Sequence, residues 1–288
     1  MSKSLKVLTY NIYMRPPGIN THGDDFKDER LDEFAERIDE YDVICLQEMF
    51  GAFSSRRARL IARAHELGFK YVVTSPAVDL MSGFLVDGGC CILSKFRIVA
   101  QQTMTFEKGL HSDQLAAKGA LHALIEIPIH VMGDSTALRV HVFTTHLQAS
   151  YMSAEAAAYR AAHAVRMRQL AQLRTFMLAC MSANAHHHHD HHQHDALLVG
   201  DVNINARPNT HDSVDDGRFT VSNQYKELLS ALAAPSAYIV SDELATAAAA
   251  RGECSHPCTL GDVKLVGNTV QPCETLITDQ EDWLSRQW

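Results

Sequence analysis

The sequence lacks any uninterrupted apolar run of the roughly 18 to 20 residues that a membrane-spanning helix needs. Its nearest approach, around Gly119 to Gly133, contains His122, Glu126, Pro128 and His130. The reading is therefore a soluble or peripheral protein. The start, MSKSLKVLTYNIYM, lacks the long apolar core and small-residue cleavage site of a signal peptide and leads directly into a strand. An even cysteine framework is also missing: seven cysteines stand at 45, 90, 91, 180, 254, 258 and 273. Cys45, Cys90 and Cys91 lie in apolar strand-like runs and read as reduced core thiols. The expected location is cytoplasmic or peripheral at a membrane, with secretion open if the N-terminus is incomplete. Positive charge is scarce, 26 basic against 34 acidic residues for a net charge of −8. That balance repels a polyphosphate backbone unless basic residues gather on one face, so nucleic acid is disfavoured as a partner.

What is present suffices for a large core. Of 288 residues, 46% are hydrophobic and 21% charged, which excludes disordered, collagen-like and coiled-coil classes. No linker-like stretch divides the chain, so one domain is expected over 1–288. Seven of the 17 histidines fall in the tract His186 to His194. Ligands repeated without fixed geometry make 184–194 a His-rich disordered insertion with no catalytic role.

Periodicity predicts strands over 5–13, 42–48, 69–75, 90–94, 98–106, 119–127, 138–146 and 195–205. Helices are expected over Glu29 to Tyr41, over Ser54 to Leu67 with Gly68 as the stop, and over an Ala-rich stretch from Ser153 to Met181. Helix, strand and hairpin-like pairs in this order describe α/β layers with mixed sheets. Beyond about Pro235 the pattern weakens. The arginines of the long helix, Arg160, Arg166, Arg168 and Arg174, read as a solvated face.

Four apolar strands end in a residue of metal or phosphate chemistry: Asn11, Glu48, His146, and Asp201 with Asn203. Strand ends converge at one rim of a layered sheet, where sites are assembled. Any one of these is most often a loop polar group or a cap, but their combined chemistry is coherent. Glu48 and Asn11 are oxygen donors suited to a hard, water-rich ion such as Mg²⁺. Such an ion polarises a phosphoryl oxygen during an in-line displacement. His146 and Asn203 can donate to phosphate oxygens, and Asp201 can accept from a nucleophilic water. The set points to metal-assisted phosphoester hydrolysis.

In family order, the stretches LTYNIYM, VICLQEMF, DGGCCILSKFRI, SDQLAAKG, FTTHLQA, VRMRQL and VGDVNIN resemble the endonuclease/exonuclease/phosphatase superfamily, most closely its neutral sphingomyelinase branch. The resemblance implies a deoxyribonuclease-like four-layer sandwich, two mixed β-sheets face to face with helices outside. It further implies one or two divalent ions, Mg²⁺ held by Glu48 with Asn11 supporting the shell. By the same resemblance His146 and Asn203 bind the phosphoryl group and Asp201 positions the water or base. Asp87 resembles the acid that orients His146, with a turn before Gly88-Gly89 as its other reading. Asp113 and Lys118 stand where the branch has substrate-contacting residues. The implied substrate is sphingomyelin or a related phospholipid at a membrane surface, split into ceramide and phosphocholine.

Relatives finish with Leu-Asp-Tyr and then Ser-Asp-His, whose His is the general base; this sequence has neither. The expectation is a chain truncated before its last strands, with hydrolysis slower by about 10²- to 10⁴-fold. Cys254, His256, Cys258 and Cys273 lack the paired spacing of structural zinc and read as loop thiols. The alternatives to a sphingomyelinase are a nuclease or phosphatase of the superfamily, or a non-catalytic truncated paralogue.

Overall fold

The computed structural model describes residues 5–19, 25–79, 81–131, 134–150, 157–185, 195–204, 222–233, 263–266 and 269–272. Where the sequence predicts one unit over 1–288, the backbone falls into two compact units, Met1–Asn203 and Ile204–Trp288. Each is described by itself.

The first unit holds β1 (Val7–Met14), α1 (Lys27–Ala35), β2 (Val43–Met49), α2 (Arg56–Glu66), β3 (Tyr71–Thr74), β4 (Cys91–Ser94), β5 (Arg97–Thr105), β6 (Gly119–Val131), β7 (Asp134–His146), α3 (Ala157–Ala185) and β8 (Asp195–Asp201). The strands make two mixed four-stranded sheets, ordered β1-β2-β4-β3 and β5-β6-β7-β8. Pairing is parallel in β1 with β2 and in β7 with β8, and antiparallel elsewhere.

Alternation along the strands builds the layers. In β2, Val43 and Cys45 join Val73, Ile92, Leu121, Ala123, Ile125 and Val142 in the core between the sheets. Ile44 and Leu46 turn to the opposite face, where Leu31, Phe34, Leu60 and Ala64 of α1 and α2 cover them. On the outer face of the second sheet, Phe143 packs with Phe176, Cys180 and Met181 of α3. Helices, sheet, sheet and helix give the expected four layers. The thiols of Cys45, Cys90 and Cys91 are free and buried; burial pushes Cys90 and Cys91 up to about 12. At the end of α2, Gly68 adopts the left-handed φ of 91° that lets the chain turn into β3, as the sequence predicts.

The second unit contains α4 (Asn223–Ala233) and an antiparallel pair, β9 (Val263–Val266) with β10 (Thr269–Pro272). Ser222 caps α4 by accepting the Tyr225 N–H at 3.1 Å. This strand pair lies where sequence periodicity is too weak to predict an element. The His-rich tract and Cys254, His256, Cys258 and Cys273 lie outside the described residues.

Candidate active site

The pairing directions bring the C-terminal ends of β1, β2, β7 and β8 and the N-terminal ends of β4 and β6 to one edge of the two sheets. The sheets are tied just beneath that edge. Gln47, buried in β2, donates to the Thr144 hydroxyl of β7 at 2.9 Å. Such a bond offsets the cost of burying its amide and fixes the offset between the layers.

Asn11 occupies the point where the β1 register shifts, two residues before Tyr13, whose φ of 57° is left-handed. Buried Arg30 of α1 holds this bulge by donating to the carbonyls of Ile12 at 2.9 Å and Tyr13 at 3.1 Å. The Tyr13 N–H donates to Asn11 Oδ1 at 3.1 Å, which turns Asn11 Nδ2 outward. That one nitrogen donates to Glu48 Oε1 at 2.9 Å and to Asp201 Oδ2 at 2.8 Å. Two carboxylates from different sheets therefore meet on a single amide.

Glu48 and Asn203 also have left-handed φ values, 56° and 51°. Non-glycine residues hold such a backbone at a cost of about 1 to 2 kcal/mol, and it concentrates at functional sites. Gly200, before Asp201, has φ of 135°, and a Cβ there would lie 2.1 Å from the Thr145 carbonyl oxygen. The glycine thus lets β8 approach β7 closely enough to carry Asp201 to the edge. Asn203 closes the turn: its N–H donates to Asp201 Oδ1 at 3.0 Å and its amide to the Leu147 carbonyl at 3.0 Å.

His146 is buried, with Nε2 3.1 Å from the Lys118 ammonium. An ammonium has no lone pair, so Nε2 accepts and the ring proton sits on Nδ1. Nδ1 has no partner among the described residues. Lys118 also donates to the Leu147 carbonyl at 3.0 Å and pairs with Asp113 Oδ2 at 2.9 Å. Burial, then the charge of Lys118, holds the His146 pKa below the usual imidazole range, so the ring is neutral at neutral pH. Asp201 Oδ2 stands 3.8 Å from His146 Nε2, beyond a direct hydrogen bond. Burial pushes the Asp201 carboxyl up. His146, the hydrogen bonds from Asn11 and Asn203, and Lys118 outweigh that and hold it below the usual carboxylate range.

The edge thus gathers Asn11, Glu48, His146, Asp201 and Asn203, with Asp113 and Lys118 packed against His146. Asp113 and Lys118 are spent on each other, on His146 and on the loop after it, since Asp113 Oδ2 also accepts the Ala149 N–H at 2.7 Å. Asp87 goes elsewhere. Its carboxylate accepts the N–H groups of Gly51, Ala52 and Gly89 at 2.9, 3.2 and 2.9 Å and pairs with Arg57 at 3.1 Å. The expected contact with His146 is replaced by one that ties down the loop following Glu48. The reason is local: three convergent N–H groups and a guanidinium form a complete anion cradle around a turn residue.

One helix residue also departs from the solvated face expected of it. Arg166 is fully buried and donates to the Gln148 carbonyl at 3.0 Å and the Ser150 hydroxyl at 2.6 Å. Gln169, one turn on, accepts the Gln148 N–H at 2.8 Å. Together they clamp the loop after His146 to α3. The signal was available in the sequence: both fall on the helical stripe of Ala162, Val165, Leu170 and Leu173.

Among the described residues no three His, Cys, Asp or Glu side chains close around one point as a metal cluster. The set present suits a hard ion that keeps its waters: two part-exposed carboxylates, from different sheets, that converge on one point. Lys118 is matched by Asp113, so among the described residues the carboxylates of Glu48 and Asp201 are met by neutral N–H donors, Asn11 Nδ2 and the Asn203 backbone, and by no lysine or arginine of their own. A divalent cation fits that imbalance; the carboxylates of Glu48 and Asp201 are the groups that would hold it, with Asn11 supporting the shell by fixing both carboxylates through Nδ2.

Residues 8–220 match the sequence profile of the endonuclease/exonuclease/phosphatase family. The chain belongs to this family. Among curated family relatives, it is 28% identical, over an alignment 392 positions long with its gaps, to a sphingomyelinase of Dictyostelium discoideum, covering 98% of this chain and 82% of that one. It is 28% identical over 214 residues to sphingomyelinase C of Bacillus cereus, covering 70% of this chain and 57% of the relative. The crystal structure of sphingomyelinase C from Streptomyces griseocarneus shares the fold at a TM-score of 0.57 and 26% identity, over 82% of this chain and 72% of that one. Beta toxin from Staphylococcus aureus, solved with bound magnesium ions, has the same fold at a TM-score of 0.57 and 19% identity, over 81% of this chain and 72% of that one.

Proposed function

We propose that this chain is a Mg²⁺-dependent phosphodiesterase that hydrolyses sphingomyelin to ceramide and phosphocholine. The observation that carries the reading is the Asn11 amide shared by Glu48 and Asp201, beside a neutral buried imidazole. Its similarity to sphingomyelinases along most of its length supports the choice of substrate.

Held by Glu48 and Asp201, with Asn11 fixing both carboxylates, the ion would polarise a phosphoryl oxygen and offset the charge that develops on it. The chain's own residues do the rest. Asp201, held ionised, accepts a proton-bearing water and aims its oxygen at phosphorus. Asn203 and the Nδ1–H of His146, the ring's one donor while Nε2 accepts from Lys118, bind the non-bridging oxygens without adding net charge. The new bond joins water oxygen to phosphorus, and the bond to the ceramide oxygen breaks. The attacking water's proton passes to solvent through its hydrogen bond to Asp201 and the departing oxygen takes one up from solvent, so ceramide leaves as the alcohol and phosphocholine as the phosphate monoester.

Incubating the protein with Mg²⁺ and sphingomyelin vesicles, and separately with supercoiled DNA, tests the assignment. Phosphocholine release with intact DNA is the expected result. Nicked DNA with intact sphingomyelin would transfer the site to the nuclease reading.

A further inference from the structure

Glu48, Asp87, Asp113 and Asp201 stand on or beside the site-bearing edge, and their partners divide them into two pairs. Among the described residues, Glu48 and Asp201 are met by neutral N–H donors. Asp113 and Asp87 each hold a cation of the chain's own, Lys118 at 2.9 Å and Arg57 at 3.1 Å. That division bears on whether the site takes one divalent ion or two.

Asp87 is the carboxylate placed to serve a second ion. Gly89, two residues on, packs against Glu48 so closely that a Cβ there would lie 3.1 Å from Glu48 Cα. The Met49 N–H donates to the Gly89 carbonyl at 2.8 Å. Yet an ionised carboxyl offers about four lone-pair sites, and those of Asp87 are all taken. Oδ1 accepts the Gly89 N–H at 2.9 Å and Arg57 Nη1 at 3.1 Å, and Oδ2 accepts the N–H groups of Gly51 at 2.9 Å and Ala52 at 3.2 Å. The loop after Glu48 is shaped for the guanidinium: a Cβ on Gly51 would lie 2.0 Å from Arg57 Nη2 and 2.2 Å from Cζ, so the missing side chain makes the room. The neighbours Val86 and Ala52 carry no donor side chain that could complete a metal shell.

We propose that Arg57 is a built-in cation that fills the second charge position beside Glu48, so that the site binds a single Mg²⁺, held by Glu48 and Asp201. The inference rests on the Mg²⁺-dependent reading and adds to it the ion count and the residue that sets it. Arg57 is a positioning residue: it acts through Asp87 on the loop after Glu48. A guanidinium stays charged at every working pH and no chelator removes it, so the loop is set before Mg²⁺ arrives and Mg²⁺ binding is non-cooperative.

Calorimetric titration of the chelator-stripped chain with Mg²⁺ counts the ions without turnover. The parent binds one per chain, and Glu48→Gln/Asp201→Asn binds none. Arg57→Ala frees a lone pair on Asp87 while keeping a good helix former at the start of α2, and it binds two. Its melting temperature accordingly rises more with Mg²⁺ than the parent's, and Arg57→Ala/Asp87→Asn returns to one ion. Arg57→Lys, which keeps a cation, stays at one and decides the matter with the parent should Arg57→Ala not fold. Two ions in the parent or in Arg57→Lys, or one in a folded Arg57→Ala, overturns the proposal. A parent that binds no Mg²⁺ sinks the Mg²⁺-dependent reading along with it. One ion in a chain that releases no phosphocholine from sphingomyelin would instead sink the assigned reaction and leave the count standing.

Discussion

Lys118 places its ammonium 3.1 Å from His146 Nε2 while the same nitrogen holds the Asp113 carboxylate at 2.9 Å. Both members of this ion pair are buried, with exposures of 5% and 7%. Removing the cation alone strands a buried charge, so Lys118→Met is expected to destabilise by roughly 3 to 5 kcal/mol. Lys118→Met/Asp113→Asn should recover most of that stability without recovering activity. Urea unfolding beside turnover measures both; equal stability losses in the single and double variants would refute the pairing.

Asp87 gives a second prediction, because its carboxylate grips the loop after Glu48 rather than His146. Asp87→Asn puts an amide against Arg57 and loosens that loop. The Mg²⁺ concentration for half-maximal activity should rise about tenfold, with calorimetric Mg²⁺ affinity falling in parallel. The pH–rate profile should keep its shape. A displaced pH profile with unchanged Mg²⁺ affinity would restore the partnership with His146 expected from the sequence.

Acid sensitivity follows from the outer face of the second sheet. There His122 Nε2 lies 2.8 Å from His141 Nδ1, stacked on Phe143. Burial, then the neighbouring His141, pushes the His122 pKa down to about 3. The unfolded chain, titrating near 6.5, therefore binds a proton that the folded chain refuses. This group's contribution to stability is complete above about pH 6.5 and falls away as pH drops towards 3. Each unit of separation is worth about 1.4 kcal/mol. His122→Phe should flatten the dependence of urea stability on pH between about 4 and 6.5. An unchanged slope would show that other groups carry it.

Arg166 yields a prediction that separates function from stability. Two of its guanidinium nitrogens, Nε and Nη2, are buried without a hydrogen-bond partner among the described residues, so the buried charge contributes little to folding. Its bonds to Gln148 and Ser150 steady the segment whose Leu147 carbonyl receives both Lys118 and Asn203. Arg166→Met should lower kcat about tenfold with KM nearly unchanged, while stability moves by less than about 1.4 kcal/mol. A stability loss equal to the activity loss would make the clamp a purely structural one.

The layers and the site edge were legible in the sequence for one physical reason. Each site residue interrupts an apolar strand that must end there, and strand direction then brings Asn11, Glu48, His146 and Asp201 together. The second unit was not legible, because β9 and β10 are four residues each and carry little periodicity. Nor was the true partner of Asp87. Which of several cations and N–H groups a turn carboxylate finds depends on how two loops meet, and Arg57 is 30 residues away in the chain. Arg166 was misread because arginines on an Ala-rich helix are usually solvated, yet its stripe is the apolar one. Gln47, a polar side chain inside a buried strand, gave the same kind of signal.

The central claim is tested most directly by phosphocholine release from sphingomyelin as Mg²⁺ is raised from a chelated start, in the parent chain and in Glu48→Gln. Release in the parent should rise with Mg²⁺ and saturate, and the half-saturating concentration in Glu48→Gln should be at least about tenfold higher. Release that persists in chelator, or identical Mg²⁺ curves for the two proteins, would contradict the assignment.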